Sequence, residues 1–448
     1  MKIKSSDTMT RAYQRILSIL DEGSFMETGE HVSARLTSFY KPDEVEESDG
    51  VITGYGTVNS NLVFIYAQDG DVMGGTFGEM HGKKIIELYE RAIRARAPII
   101  GLLDSNGFRI EEGLDGMNQF AALYGVQAKA SGEIPQIMCV TGNCGGGMSI
   151  SAVMADFVFI ENEEGHIYLS PEKMVEYQKG EEEYISAFDD GRYSWDEIVQ
   201  NVRTLVELLP QSCDYTAYRV DVSDEELNRT NEGIHELLGD GKAFLTEIAD
   251  NHFFFETQRD KGQDVVTGLI RLNGATIGCC CCNTVDGSKR LSFQGIDKMT
   301  SIIHLCDHFN IPILMVIDTE GYQTTAANEY NMPNSAGRLV RALTQSKVAK
   351  VSLIAGKAYG SIYSILNSKG LSADYVFMWD DADVSIIEPR QATEMIYGKF
   401  SDNLAREYYD THSSALALAR HGYVDKVIRP EETRKYLIGA FETFVNSR

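Results

Sequence analysis

APIIGLLDSNGF, beginning at Ala97, returns as IPILMVIDTEGY, beginning at Ile311. Asp104 and Asp318 stand 214 positions apart, and the same spacing carries VITG at Val51 onto VVTG at Val265 and GNCGGGM at Gly142 onto GKAYGSI at Gly356. Further on, ADFVFIENEEGHIYLSP matches ADYVFMWDDADVSIIEP at the slightly larger spacing of 218, Pro171 to Pro389, as a short loop insertion would produce. A repeat of this length dictates two copies of one structural unit. We place the copies at about 50–172 and 264–400, within an N-terminal domain 1–245 and a C-terminal domain 246–448.

Both copies alternate in the same way. Paired strands (GYGTVNSNLVFIYAQD; GLIRLNGATIGCCCC) lead into a helix (GEMHGKKIIELYERAIRAR; QGIDKMTSIIHLCDHFN), then a buried strand (PIIGLLD; PILMVID), a loop, a helix and a second strand. A glycine-rich turn, a short helix and a third strand follow. Such alternation predicts an α/β fold with helices flanking mixed, largely parallel sheets. The polar connector, about 173–245, carries the helical pattern SWDEIVQNVRTLVELLP, and the first thirty residues read as an amphipathic helix.

A net charge of −25 excludes general attraction to nucleic acid or to anionic membranes. No stretch reaches the roughly 18–20 apolar residues of a membrane span, and the N-terminal segment lacks the apolar core of a signal peptide, so the expected location is cytoplasmic. Four of the eight cysteines are consecutive, Cys279–Cys282. On a strand their side chains alternate between faces and cannot converge on one metal, so they read as small buried hydrophobes in a reducing compartment.

The stretch GNCGGGMSISAVMAD sets Gly145, Gly146 and Gly147 between an apolar run and a helix-like one. Glycines at a strand-to-helix turn bring free N–H groups and the positive end of a helix dipole to a place a ligand can approach closely. Such a pair of N–H groups stabilises charge developing on a carbonyl oxygen. The second copy repeats the turn in KAYGSIYSILNSKG, which implies two carbonyls; packing of a helix close to the sheet is the structural alternative.

Arg91, Arg94 and Arg96, in ERAIRARAP, form a basic cluster suited either to the phosphates of a nucleotide-like ligand or to a solvated helix face. Arg109 suits the same ligand or an ion pair with Glu111 or Glu112. Asp104 and Asp318 end strands, and the expectation is that they hold loop N–H groups rather than act as general acids. The nine histidines lack metal-ligand spacing, so no metal is expected, and GYGTVN lacks the third glycine of a dinucleotide fingerprint.

YAQDGDVMGGTFGEMHGKKI, DSNGFRIEEG, GNCGGGMSISAVMADF, CDHFNIPILMVIDTEGY, GKAYGSIYSI and HGYVDKVIRPEETRKYL together resemble, in order and spacing, the carboxyltransferase subunits of biotin-dependent acyl-CoA carboxylases and decarboxylases. The resemblance implies two tandem crotonase-like units. It also implies that the N–H groups of Gly146 and Gly147 hold the enolate oxygen of an acyl-CoA, and those of Ser361 and Ile362 the ureido oxygen of biotin, with Tyr359, Gly360 and Ser364 on the biotin side. Arg91, Arg94, Arg96 and Arg109 become candidates for binding CoA. Biotin itself takes the substrate proton, so no protein base is needed. Without an A-M-K-M motif, biotin must arrive on a separate carrier protein, with a biotin carboxylase or a membrane decarboxylase subunit as further partner. The resemblance also implies a homo-oligomer, commonly a hexamer of three dimers, in which the first unit of one subunit meets the second unit of another.

The chain departs from the family at three places. Ser361 and Ile362 replace small residues of A-Y-G-G-A-Y, Ser364 stands where propionyl-type enzymes often have Asp, and the segment after Met174 lacks S-G-V-A. The leading expectation is an acyl-CoA carboxylase component acting on a short acyl-CoA. Beside it stand the same subunit of a sodium-pumping decarboxylase and a non-catalytic scaffold that has lost biotin binding.

Overall fold

The computed structural model describes residues 9–39, 48–170, 190–222, 227–399 and 401–444. The chain divides into two compact units, Met1–Ala217 and Tyr218–Arg448.

In the first unit, α1 (Arg11–Ile19) and β1 (Met26–Thr28) precede the repeat. The repeat runs β2 (Val51–Val58), β3 (Asn61–Gln68), α2 (Glu79–Ala95), β4 (Ile99–Ser105), α3 (Leu114–Ala130), β5 (Gln136–Gly145), α4 (Gly147–Val153), β6 (Phe157–Glu161) and β7 (His166–Tyr168). The short β8 (Arg192–Tyr193) and α5 (Trp195–Leu208) close the unit. Its sheet has the order β1-β2-β3-β4-β5-β6-β8, with β7 continuing alongside β5. The first three strands are antiparallel and the rest parallel.

The second unit opens with α6 (Gly241–Ile248) and β9 (Phe254–Thr257) and repeats the plan. It runs β10 (Val265–Leu272), β11 (Ala275–Cys282), α7 (Phe293–His308), β12 (Ile313–Thr319), α8 (Ala326–Gln345), β13 (Lys350–Tyr359), α9 (Ile362–Ile365), β14 (Tyr375–Trp379), β15 (Asp383–Ser385) and β16 (Lys426–Ile428). The sheet order β9-β10-β11-β12-β13-β14-β16, with β15 on β13, is that of the first unit strand for strand.

Each antiparallel hairpin turns on two residues at positive φ, Asn59-Ser60 (48° and 66°) and Asn273-Gly274 (50° and 75°), the conformation that matches strand twist in a two-residue loop. The lysines Lys84 and Lys298 repeat too: each is buried on its helix and donates to the first carbonyl of the hairpin, Val51 O at 2.5 Å and Val265 O at 2.8 Å.

Among the described residues the N-terminal helix is Arg11–Ile19, shorter than the amphipathic pattern, because the chain turns at Asp21, whose carboxylate collects the N–H groups of Asn59 and Ser60, the Thr57 hydroxyl and Arg203. The compact units of the structure divide at 217/218. Residues after 217 belong to the second sheet: Val220 N–H donates to Gly274 O (3.1 Å), Arg219 to Asn273 O (2.8 Å), and Phe244 and Leu245 of α6 are buried. Part of the expected connector, 171–189 and 223–226, and the segment after Met174 lie outside the described residues. Its helix is α5, started by a capping box between Ser194 and Glu197.

Cys279–Cys282 lie on β11, fully paired with β10 and buried. Burial pushes their thiols up, Cys282 to about 12, which leaves them as protonated apolar groups.

His81 on α2 is completely buried, its Nδ1 2.9 Å from Asp49 O and its Nε2 3.1 Å from Gln68 Nε2. Burial, with the charge of Arg109, lowers its pKa to about 3. That value lies below the ~6.5 of an unfolded histidine, so only the unfolded chain takes up a proton between the two, and stability falls as pH drops below about 6.5. The expected slope is about 1.4 kcal/mol per pH unit from this residue alone. Melting curves at neutral and mildly acidic pH should show a larger acid loss in the wild type than in His81→Gln; equal losses would contradict the buried neutral imidazole.

Candidate active site

Both glycine turns are built alike. β5 ends at Gly145, Gly146 adopts φ 57° and ψ −125°, and its N–H donates to Tyr168 O of β7 at 3.0 Å. In the second unit Gly360, at φ 77°, donates to Ser385 O of β15 at 2.8 Å. The next N–H groups bonded to the turn are Ser149 to Gly146 O (3.1 Å) and Tyr363 to Gly360 O (3.3 Å). Between them, Gly147 and Met148 in the first turn, and Ser361 and Ile362 in the second, have no hydrogen bond to their N–H among the described residues. The sequence reading names Gly146 and Gly147 as the pair. Gly146 spends its N–H on β7, and the free pair is Gly147 and Met148, 214 positions before Ser361 and Ile362.

Beneath each turn lies an aspartate. Asp104 Oδ1 accepts from Asn143 N–H (3.1 Å) and Asp318 Oδ1 from Lys357 N–H (3.0 Å), which is the loop-holding role expected for both. Neighbouring Gly142 and Gly356 press on these carboxylates so closely that an added Cβ would lie 2.2 and 2.3 Å from an oxygen. Hence each strand carries glycine before its turn as well as in it.

The surroundings differ. Phe120 of α3 stacks on Phe77 (3.9 Å) and meets Phe108 edge-on (4.6 Å); Tyr124 donates to Gly147 O (2.8 Å). A Cβ at Gly147 would stand 2.8 Å from Tyr124 Oη and 2.9 Å from Phe120 Cε1. Around the second turn Tyr359 donates to Asp383 Oδ2 (2.5 Å), and Ser361 Oγ lies 3.4 Å from Tyr322 Oη. Burial and the bond to Asp383 push the Tyr359 hydroxyl up, so it remains a donor. Gly360 has room, the nearest atom to an added Cβ being Ile386 O at 3.5 Å, and Ser361 is exposed.

Residues 7–191 and 194–448 match the family described as Carboxyl transferase domain. The propionyl-CoA carboxylase beta chain of Cereibacter sphaeroides is 32% identical, with 98% of this chain and 91% of that protein covered. The chain belongs to the carboxyl transferase domain family. The methylmalonyl-CoA decarboxylase subunit alpha of Veillonella parvula is 29% identical, over 98% of this chain and 90% of that one. Transcarboxylase 12S, solved as a hexamer with methylmalonyl-coenzyme A and methylmalonic acid bound, superposes with a TM-score of 0.91 at 27% identity, covering 98% and 90% of the two chains. The protein is thus a carboxyltransferase of the propionyl-CoA carboxylase type, built from two crotonase-like units.

Three of the arginines of this carboxyltransferase lie away from the first turn. Arg91 pairs with Glu87, and Arg96 with Glu133 and, at 2.9 Å, Asp214; Arg94 is exposed. All three end α2 where it feeds the start of β4, and the ten residues of β5 put roughly 30 Å between that edge and the turn. Arg109 is 1% exposed, bound by Asp49, by Glu112 (2.9 Å) and by Thr76 O (2.6 Å). Its guanidinium is enclosed by these ion pairs, the Glu112 alternative read from sequence, which leaves no exposed cation there for CoA. Tyr359, Gly360, Ser361, Ile362 and Ser364 do come together, with Ser361 and Ser364 exposed. The sequence reading missed Met148, although the repeat spacing that maps Ile362 onto it was the signal. It also missed the carbonyls of Tyr168 and Ser385, for which backbone geometry is the only sign.

Proposed function

We propose that the N–H groups of Gly147 and Met148 hold the thioester oxygen of a short acyl-CoA, and that those of Ser361 and Ile362 hold the ureido oxygen of biotin borne on a separate carrier. The pair of equivalent, unbonded N–H turns carries this reading. Carboxyl transfer needs a negative charge stabilised on two carbonyl oxygens, and two unbonded donors aimed at each supply it. The space at Gly360 and the exposure of Ser361 suit a second substrate that approaches the backbone. Carboxylated biotin supplies CO₂ by breaking its N1–carboxyl bond, and N1 accepts the α-proton. The first turn stabilises the resulting enolate while its α-carbon forms the new C–C bond to CO₂. Run backwards, the same steps decarboxylate, and the Veillonella relative favours keeping that direction as the second reading.

We infer an acyl group of the propionyl/methylmalonyl size from the relatives, a biotin carrier and a biotin carboxylase or membrane subunit as partners, and a hexamer by analogy with Transcarboxylase 12S. Among the described residues no helix is long and apolar enough to cross a membrane.

The purified protein should move radiolabelled carboxylate from methylmalonyl-CoA to free biotin. Absence of transfer from methylmalonyl-, malonyl- and glutaconyl-CoA alike would refute the proposal.

A further inference from the structure

The duplication lets each half act as the reference for the other. Beside the first turn, Asn143 Nδ2 donates to Asn106 Oδ1 at 2.7 Å. At the equivalent place beside the second, Lys357 Nζ donates to Glu320 Oε1, also at 2.7 Å. One half keeps a neutral amide pair where the other has an ion pair. The exchange extends to the neighbouring positions. Gly75 and Thr76 of the first unit correspond to Lys289 and Arg290 of the second. Lys289 spends its charge on the buried Asp318 (2.5 Å), and Arg290 donates to Tyr322 O (3.2 Å). Lys357 differs from both. Its side chain is 44% exposed, and an ammonium has three donors, of which Glu320 takes one. Glu320 also holds it protonated, the hydrogen bond between them raising the Lys357 pKa. Lys357 stands on β13 two residues before Tyr359, its Nζ 5.6 Å from that ring, and three before Gly360.

We propose that Lys357 binds the carboxylate carried on N1 of carboxylated biotin, so that the second turn discriminates the loaded carrier from the unloaded one. This rests on the reading of that turn as the biotin side. The chemistry accounts for the asymmetry. A thioester oxygen is uncharged until the enolate forms, and the amide pair of the first turn suits it. A carboxylated ureide brings a full negative charge on arrival, and an ammonium held in place by Glu320 meets it with a charge-assisted hydrogen bond. Unloaded biotin has no charge to offer and gains nothing from Lys357.

The test installs the first unit's own pair, Lys357→Asn with Glu320→Asn, a combination already compatible with this turn geometry. Lys357→Gln with Glu320→Gln serves as the second variant if the first is unfolded. Wild type and variant are assayed in both directions, with prepared N1-carboxybiotin plus propionyl-CoA and with free biotin plus methylmalonyl-CoA. The expected result is a KM for carboxybiotin raised roughly ten-fold or more, with KM for free biotin and for methylmalonyl-CoA unchanged within about two-fold. Lys357→Arg, which keeps the charge, should retain the low KM for carboxybiotin. An unchanged carboxybiotin KM in the neutral variant overturns the proposal, as does a rise confined to methylmalonyl-CoA, which would assign the cation to the thioester substrate. A wild type that transfers in neither direction instead refutes the functional reading beneath it, and this proposal falls with it.

Discussion

Gly147→Ala is expected to slow carboxyl transfer on the order of 10²-fold while leaving the N–H donor in place, since small misplacements of a catalytic group have effects of that size. The added methyl has nowhere to go: Tyr124 Oη and Phe120 Cε1 stand 2.8 and 2.9 Å from its position, and Phe120 is backed by Phe77. The turn must therefore shift away from α3 and carry the Gly147 and Met148 donors with it. The effect should appear in kcat for acyl-CoA substrates and in the exchange of their α-protons in deuterated buffer, since both pass through the enolate. Proline at 147 is a poorer probe, because its ring meets the same two side chains. An alanine variant of unchanged melting profile and oligomeric state that transfers at the wild-type rate would show that the first turn does not hold the enolate. The second unit already carries a side chain at the matching position, the exposed Ser361.

Arg109→Met should cost the first unit about 3–5 kcal/mol, the usual consequence of removing one partner from a buried ion pair. Asp49, Arg109 and Glu112 are all buried, with Asp49 at 0% and Arg109 at 1% exposure. Burial already pushes the Asp49 carboxyl up, and its Oδ2 has no hydrogen bond. Methionine would leave two enclosed carboxylates without the cation that pairs with both. Neutralising the whole set, Arg109→Gln with Asp49→Asn and Glu112→Gln, should recover much of the loss, since the second unit has Gln323, Gln263 and Ala326 at the matching positions. Hydrogen exchange of the β4 and β5 amides reads the change in this unit directly. Protection as strong in Arg109→Met as in the wild type would mean that the triad contributes nothing to stability.

The duplicated architecture was legible because its determinants are local and repeated. Strand-ending Asp104 and Asp318, the Asn-led hairpin turns and the glycine turns recur in register, and their strands and helices follow from apolar periodicity. The role of the aspartates was legible for the same reason. What the sequence hid depends on direction and distance. Nothing in GNCGGGM tells which of its N–H groups is bonded to the strand that follows it; that requires Tyr168, which is distant in sequence, to arrive beside Gly146. Arg91, Arg94 and Arg96 look like an anion site in one dimension, but the length of β5 separates them from the turn. For Arg109 the sequence offered an ion pair with Glu111 or Glu112 beside a ligand, but not its partner Asp49, which lies sixty residues earlier. The hydrogen bond from Val220 to the Gly274 turn is hidden for a similar reason, as a contact with no trace in local composition.

The bonds from Gly146 to β7 and from Gly360 to β15 have a mechanical consequence. Each turn is clipped to a short parallel strand by its own first amide, so the following two amides are fixed in orientation before any substrate arrives. In water, solvent dipoles must rotate to meet a newly formed oxyanion, and that rotation is part of the barrier. On the proposed reading the dipoles are turned as the chain folds, and a charge that appeared on either carbonyl would find its field already in place.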